Sequence, residues 1–597
     1  MEPRLLSLAV LLLIGGALRS ANPADFTNSA GTANSIGMAN SVGASNSACF
    51  AHSGDFTNAA SLPSPDSLRW LSFRHVKGSD ARLVSENGAW LHALPDLRVS
   101  EARFLVNKSN GNFIDYFQSP DSYTLGGEAE SFYRVTPRLV FHGWVSYHNF
   151  TGKQMGGSAF IDPTYAPFNM VESTDTTRGT KQREAYRLTG SLAYDLSKRV
   201  TLGAKVDYTS TNYTKRKDLR HRNKLLNLVA TAGMSYRLTP RIEVGINTFY
   251  RKRVEGVFFN TYGTTDRQYT SLVDFGTSYG RHELFVENGD GYTSGKKERP
   301  LTDAYHGGAV QLQLNLSPRH SFFNRFHYRH RSGYYGIPSS SEVTYTEHKG
   351  DEWGYLGSVV YKTARNRHRI DVELESETLT NAENIYTIEN EIGGFSFVEY
   401  HGINERLHRY RRKIGAEYSG YINVKNGRSL WLVTASASFN TRNDKTSLYP
   451  FFREQRLTYW RVNGLVSRSL ANRSPHCLIP AVGLSFGGGS GLPFSDGLYA
   501  TPSPTETAPP SADFNLYTQH HYITATRIGF HPALRYEIIL KNRATGSVTL
   551  RYDRIHALTS HPDKTGDQNT AGNQYAPGNR NKPNDRQQLL LSLGYQF

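Results

Sequence analysis

The stretch YRLTPRIEVGINTFY, residues 236–250, decides the fold because its pattern recurs three more times, as YRVTPRLVFHGWVSY (133–147), YDLSKRVTLGAKVDY (194–208) and LNLSPRHSFFNRFHY (314–328). In each copy an arginine (Arg138, Arg199, Arg241, Arg319) stands five residues after the first position, and a tyrosine follows nine residues later. Thr-Pro, Ser-Lys and Ser-Pro are turn formers, since proline presets φ and the hydroxyls bond nearby backbone. After the turn the residues alternate: Val200, Leu202, Ala204, Val206 and Tyr208 share one face, and Thr201, Gly203, Lys205, Asp207 and Thr209 the other. Ile242, Val244 and Ile246 oppose Glu243, Gly245 and Asn247 in the same way. Period two is the signature of a strand, so each copy reads as a hairpin.

About nine to eleven tilted residues cross a hydrocarbon core, and an aromatic girdle marks its edges. A turn, nine residues and a tyrosine therefore make one membrane pass, and the chain reads as an all-β transmembrane antiparallel β-barrel. The alternation predicts eighteen strands between residues 100 and 597, with sixteen as the alternative because Pro480 and Pro532 each remove a ladder donor. Connections near 136, 197, 239, 318, 365, 425, 472 and 543 are short, whereas 150–183, 253–306, 381–409, 488–519 and 557–585 are long. Short turns belong to the periplasmic side of such barrels, so both termini are expected there, in the cell outer membrane.

Residues 1–21 combine an early basic residue, an apolar run from Leu5 to Ile14 and small residues after it, which reads as a signal peptide. No second apolar run has the roughly twenty residues a membrane helix needs. Mean hydropathy is negative, as expected when half of every strand faces a polar lumen. Residues 22–66, rich in Asn, Ser, Ala and Gly, read as a periplasmic lead-in or a small plug. Within it SIGMANSVGAS resembles the N-terminal hatch of long-chain fatty-acid channels. Residues 67–99, with Trp70, Phe73, Trp90 and Leu91, read as an ordered segment against the periplasmic mouth, and 100–597 as the barrel.

The chain ends DRQQLLLSLGYQF, with Leu589, Leu591, Leu593, Tyr595 and Phe597 on one face. Tyr595 and Phe597 resemble the terminal signature by which outer-membrane barrels are recognised by their assembly machinery. FTGKQMGGSAFIDPTYAPFN (150–169), KDLRHRNKLL (217–226) and YGTTDRQY (262–269) resemble a family of outer-membrane β-barrels known only as a domain of unknown function, over roughly residues 67–597. The resemblance implies fold and location and no activity.

The formal net charge of +16 points, for a barrel, to membrane lipid, the anionic lipopolysaccharide surface or an acidic ligand, with no nucleic acid expected. A basic patch is expected at Lys215, Arg216, Lys217, Arg220, Arg222 and Lys224, together with His221. Alternation also places Asp371, Glu373, Glu375 and Glu377 inward on one strand, with Arg325, Arg329, Arg411 and Lys413 inward nearby. Such a charge stripe reads either as a salt-bridged lumen or as the lining of a pore that selects solutes.

Neither a serine-centred elbow nor HExxH spacing is legible, so an enzyme is not expected. His520–His521 and His327/His330 lack further ligands, so no metal and no cofactor is expected. Cys49 and Cys477 lie too far apart in sequence and setting to suggest a disulfide framework. Two functions stay open: a channel or uptake component, or a non-conducting scaffold whose long loops, among them 253–306, dock a lipoprotein, transporter or surface partner.

Overall fold

The computed structural model describes residues 73, 77, 80–95, 98–172, 177–262, 267–295, 297–390, 396–425, 428–470, 475–540, 544–559 and 584–597. The expected signal peptide and lead-in lie outside the described residues, as do residues 426–427, 471–474 and 541–543, where short turns are expected. Eighteen antiparallel strands form a closed barrel, from Arg98–Gly111 to Asp585–Gln596. The first strand pairs with the second, Asp121–Thr136, and also with the last, so no edge remains. Where first and last meet, Phe597 and Ser100 exchange two backbone hydrogen bonds of 2.9 Å.

The repeated motif works through its hydroxyl. Thr136 Oγ1 accepts from the backbone N–H groups of Arg138 and Leu139 at 3.3 and 3.0 Å. Ser197 does the same for Arg199 and Val200, Thr239 for Arg241 and Ile242, and Ser317 for Arg319 and His320, all at 3.1–3.2 Å. One side chain thus satisfies two donors that the reversing backbone leaves without ladder partners.

The outward face is apolar: Leu202, Val206, Ile246, Val310, Phe326, Ile370, Val482, Leu550 and Leu593 are all exposed. On a soluble protein such a continuous apolar surface would be a liability, whereas against lipid tails it is required. Pro480 and Pro532 are both accommodated, and the barrel has eighteen strands, not sixteen. Where Pro532 falls, the ladder to the strand Thr545–Ala557 passes from Phe530↔Arg554 to Ala533↔Arg551.

Two expectations need correction at the long-loop end. Residues 381–390 and 396–409 are strand, not loop: the strands Arg367–Asn390 and Ser396–Lys425 keep pairing up to Asn390↔Ser396, so this hairpin rises well above the membrane span. Above the bilayer the outer face need not be apolar, so alternation fades while the ladder continues. The alternation after the loop 488–519 reads as one strand over 520–540, but that strand begins only at Arg527, because Asp513–Thr524 is an α-helix with Leu516, Tyr522 and Ile523 buried. Between the barrel strands, Asn169–Glu172, Thr270–Asp274 and Gly280–Leu284 form a separate three-stranded sheet.

Removing the hydroxyl at one repeat turn tests this account. Thr239→Ala is expected to lower unfolding stability by about 1 kcal/mol, read from urea unfolding of the detergent-solubilised barrel, with no change in its heat-modifiable migration.

Candidate functional site: a lumen filled from both ends

At the short-turn end the chain before the first strand lies inside the barrel. Two 3-10 turns, Ala81–Val84 and Gly88–Ala93, are each opened by a side-chain cap, from Asp80 and Asn87. The wall they meet is bare of side chains at Gly203 and Gly233. A Cβ on Gly203 would lie 1.9 Å from the Ala89 nitrogen, and one on Gly233 would lie 2.3 Å from Asn87 Oδ1. Gly203 and Gly233 face each other across neighbouring strands, so backbone packs directly on backbone there.

Polar contacts then fix the segment. Asn87 Nδ2 donates to the Ile246 carbonyl at 3.2 Å and to Gln311 Oε1 at 2.9 Å. The fully buried Trp90 packs edge-on against Phe323 with centroids 5.6 Å apart. Arg329 Nη2 donates to the Glu86 carboxylate at 2.7 Å, Arg325 lies 3.9 Å away, and Lys205 donates to the Ser85 carbonyl. Burial alone would raise the Glu86 carboxyl, but Arg325 and Arg329 overrule it and hold the group at about 2.

At the long-loop end, residues 156–169 fold inward. Phe160, Phe168, Tyr292, Tyr335 and Tyr345 form a buried aromatic cluster, with Phe168–Tyr335 centroids at 4.9 Å and Tyr292–Tyr345 at 4.6 Å. Tyr165 sits among arginines, its ring 4.2 Å from both the Arg253 and Arg331 guanidinium carbons and 5.2 Å from that of Arg251. Arg411 Nη1 donates to the Thr164 carbonyl at 2.8 Å, and Arg409 Nη1 to the Ala166 carbonyl at 3.0 Å. The helix Asp513–Thr524 covers another sector, where Arg527 donates to the Tyr522 carbonyl at 2.5 Å.

A cavity of about 30 Å³ remains between these insertions, lined by Tyr116, Thr164, Asn169, Asp274, Arg409 and Gln519 among others. It has room for about two waters. Burial pushes the carboxyl of the neighbouring Asp115 up to about 7, and that of Asp274 up to about 6 despite backbone N–H donors from Gly276 and Tyr279.

The charge stripe faces this interior. Glu373 pairs with Lys413, Glu375 lies 3.3 Å from Lys413, Asp371 accepts from Arg369 at 2.8 Å, and Glu377 lies 3.7 Å from Arg331. Arg325 and Arg329 bind the N-terminal segment, whereas Arg411 binds the inserted loop. The structure therefore splits the eight residues between three tasks.

The basic patch needs correction at Lys215. That residue is buried, its Nζ 2.7 Å from Glu172, because alternation turns it inward. Arg216 and Lys217 are exposed, Arg220 pairs with Asp218 at 2.6 Å, Arg222 lies over Phe258, and Lys224 is 3.5 Å from Glu298. Tyr595 and Phe597 are exposed side by side, with ring centroids 5.7 Å apart. His327 turns inward to Glu352 and His330 outward to Asp351, while His520 donates to the Gly491 carbonyl and His521 turns to Asn584. Among the described residues no three His, Cys, Asp or Glu side chains gather as a metal site would require.

Sequence reasoning missed Asn87, Gly203, Gly233 and Tyr165. Trp70, Phe73, Trp90 and Leu91 signalled an ordered segment but not its anchor, since the partners of Asn87 are carbonyls that sequence does not mark.

A family described as being of unknown function, DUF6850, matches residues 88–597. The chain belongs to that family. Its fold is a closed antiparallel β-barrel with an apolar outer face. No curated protein matches it. Among solved structures it is similar to the ferric preacinetobactin receptor BauA of Acinetobacter baumannii, at 8% identity and a TM-score of 0.38, covering 84% of this chain and 80% of that one. It is similar too to the outer membrane transporter YddB of Escherichia coli, at 8% and 0.37, covering 84% and 81%. The toluene transporter TodX of Pseudomonas putida aligns at 9% and 0.27, covering 87% and 93%.

The Glu86 contacts carry a definite pH dependence. A carboxyl held below its ordinary 4.5 stabilises docking fully above that value, and the contribution disappears as pH falls towards about 2. Hydrogen exchange, corrected for intrinsic rate, is expected to show residues 85–95 protected at pH 5 and less so at pH 3. In Glu86→Gln, protection at pH 5 is expected to be reduced already, with little further change.

Proposed function

We propose that this protein is an outer-membrane channel or uptake component held shut by its own chain, with the short turns and both termini in the periplasm. The observation that carries this reading is the double seal: residues 80–95 at one end and residues 156–169 with the helix Asp513–Thr524 at the other. Both seals are anchored to the wall by charged and amide donors on carbonyls and a carboxylate, contacts that water or a solute can replace, beside the aromatic packing of the long-loop end. A barrel wall of eighteen strands is wide enough to leave an aqueous lumen once they are displaced.

The arginines around Tyr165 suggest the solute's chemistry. Arg251, Arg253, Arg331, Arg409 and Arg411 are occupied by a ring face, carbonyls and neighbouring acids. An acidic solute would offer several of them an anionic acceptor in place of a carbonyl or a ring face. Tyr595 and Phe597, exposed at the end of the last strand, fit a role in recognition by the barrel assembly machinery.

Two seals in series predict that neither alone decides conductance. In planar bilayers the intact protein and each single variant, Glu86→Ala with Trp90→Ala or deletion of residues 157–168, are expected to show at most brief openings. Combining them is expected to produce stable conductance steps. A combined variant that migrates as a folded, heat-modifiable barrel and still stays silent would refute the channel and favour a scaffold.

A further inference from the structure

The strand His476–Ser490 contains Gly483-Leu484-Ser485-Phe486-Gly487, the letters of a serine elbow on an extended strand, which is why the sequence did not show it as one. Leu484 and Phe486 point outward and are exposed, so Ser485 faces the lumen. Its Oγ lies 2.8 Å from His531 Nε2, and His531 Nδ1 lies 2.7 Å from Asp553 Oδ1. An ionised carboxylate only accepts, so Nδ1–H donates to Asp553, and the neutral ring leaves Nε2 to accept the Ser485 proton. The three residues come from adjacent strands of the wall, His476–Ser490, Arg527–Ile539 and Thr545–Ala557. The order of atoms is that of a serine nucleophile, its base and the group that orients the base.

Two further features distinguish this chain of hydrogen bonds from one that merely satisfies polar groups. The wall around Ser485 is stripped of side chains: its same-face neighbours Gly483 and Gly487 are glycines, and so is Gly529, opposite it in the next strand. A Cβ on Gly529 would lie 2.2 Å from Ser485 Oγ and 2.8 Å from His531 Nε2, so only glycine there permits the contact. The second feature is Arg461, opposite Gly487 in the ladder and partly exposed. Among the described residues it has no hydrogen bond or ion pair. Asn463, opposite Ser485, gives one amide N–H to Ser436 and keeps another.

We propose that Ser485, His531 and Asp553 form an acyl-transfer site in the lumen wall that hydrolyses a small carboxylic ester bearing an anionic group, which Arg461 receives. Ser485 Oγ bonds to the ester carbonyl carbon as its proton passes to His531 Nε2. The bond to the alkoxy oxygen then breaks, that oxygen takes the proton from Nε2, and an alcohol leaves. Water repeats the cycle on the acyl-serine, releasing the acid and restoring the hydroxyl. The strand's own N–H groups are committed to the ladder, so charge on the carbonyl oxygen falls to the side-chain donor Asn463.

The test uses the full chain in detergent micelles with a small fluorophosphonate, mono-4-nitrophenyl glutarate and 4-nitrophenyl acetate. The expected result is a single adduct on Ser485 by peptide mass, absent in S485A, with ester hydrolysis at least about 100-fold lower in S485A and H531Q. R461Q is expected to lose about tenfold on the glutarate ester and little on the acetate. G529A, folded by heat-modifiability, is expected to lose labelling because the added methyl parts Ser485 from His531. Access is checked with S485C on a C49A, C477A background. If that thiol is alkylated while wild-type Ser485 takes no adduct, the site is open and inert and the proposal fails. If neither reacts, the site is sealed and the proposal fails equally, as it does if S485A hydrolyses the esters at the wild-type rate.

Discussion

Everything in this molecule depends on the pairing of the strand Arg98–Gly111 with the strand Asp585–Gln596. In a hydrocarbon layer each unpaired backbone group costs several kcal/mol, and an open sheet would expose two such rows. Joining the two ends of the chain removes both rows at once. It also fixes which side of every strand looks inward, and so which side chains share an enclosed space.

That enclosed space is where the chain departs from a simple tube. Its inward face carries many charges, and they are arranged as local neutralities: Arg331 with Asp303, Arg442 with Asp444, Arg253 with Glu255, each at 2.7–2.8 Å. Buried pairs of this kind contribute little net stability, but stripping away one partner is expensive. The inserted segments exploit this, since they bring carbonyls and one carboxylate to guanidiniums that would otherwise face a partly dehydrated lumen. Glycine at Gly203 and Gly233 does the complementary work, letting the N-terminal turns lie flat on the wall.

The strands were legible because lipid imposes one rule on one face, and because a Ser or Thr two residues before each repeat arginine marks the reversal. Legibility ended where lipid ends. Residues 381–390 and 396–409 alternate poorly because the outer face of that hairpin no longer meets lipid, so the pairing Asn390↔Ser396 left no trace in the sequence. The last turn of the helix Asp513–Thr524 reads as strand, and its start as loop, because Tyr522 and Ile523 adjoin a true strand at Arg527. The inward direction of Asp371, Glu373, Glu375 and Glu377 followed from period two, but not their division among partners, since those lie on other strands or on the inserted loop. Asn87, Tyr165 and Ser485 each act through groups far away in sequence, and no spacing rule reaches them.

The position of the N-terminal turns has a consequence for how the molecule is made. They precede the first strand, yet they rest on strands between Leu139 and Ser339, whereas the wall closes only when the last residues of the chain arrive. An open, curved sheet can receive them from the side, but a finished cylinder admits them only end-on, past a rim of short turns. The seam between first and last strands therefore acts as a timer: what has docked when it zips is enclosed, and what has not must enter by threading.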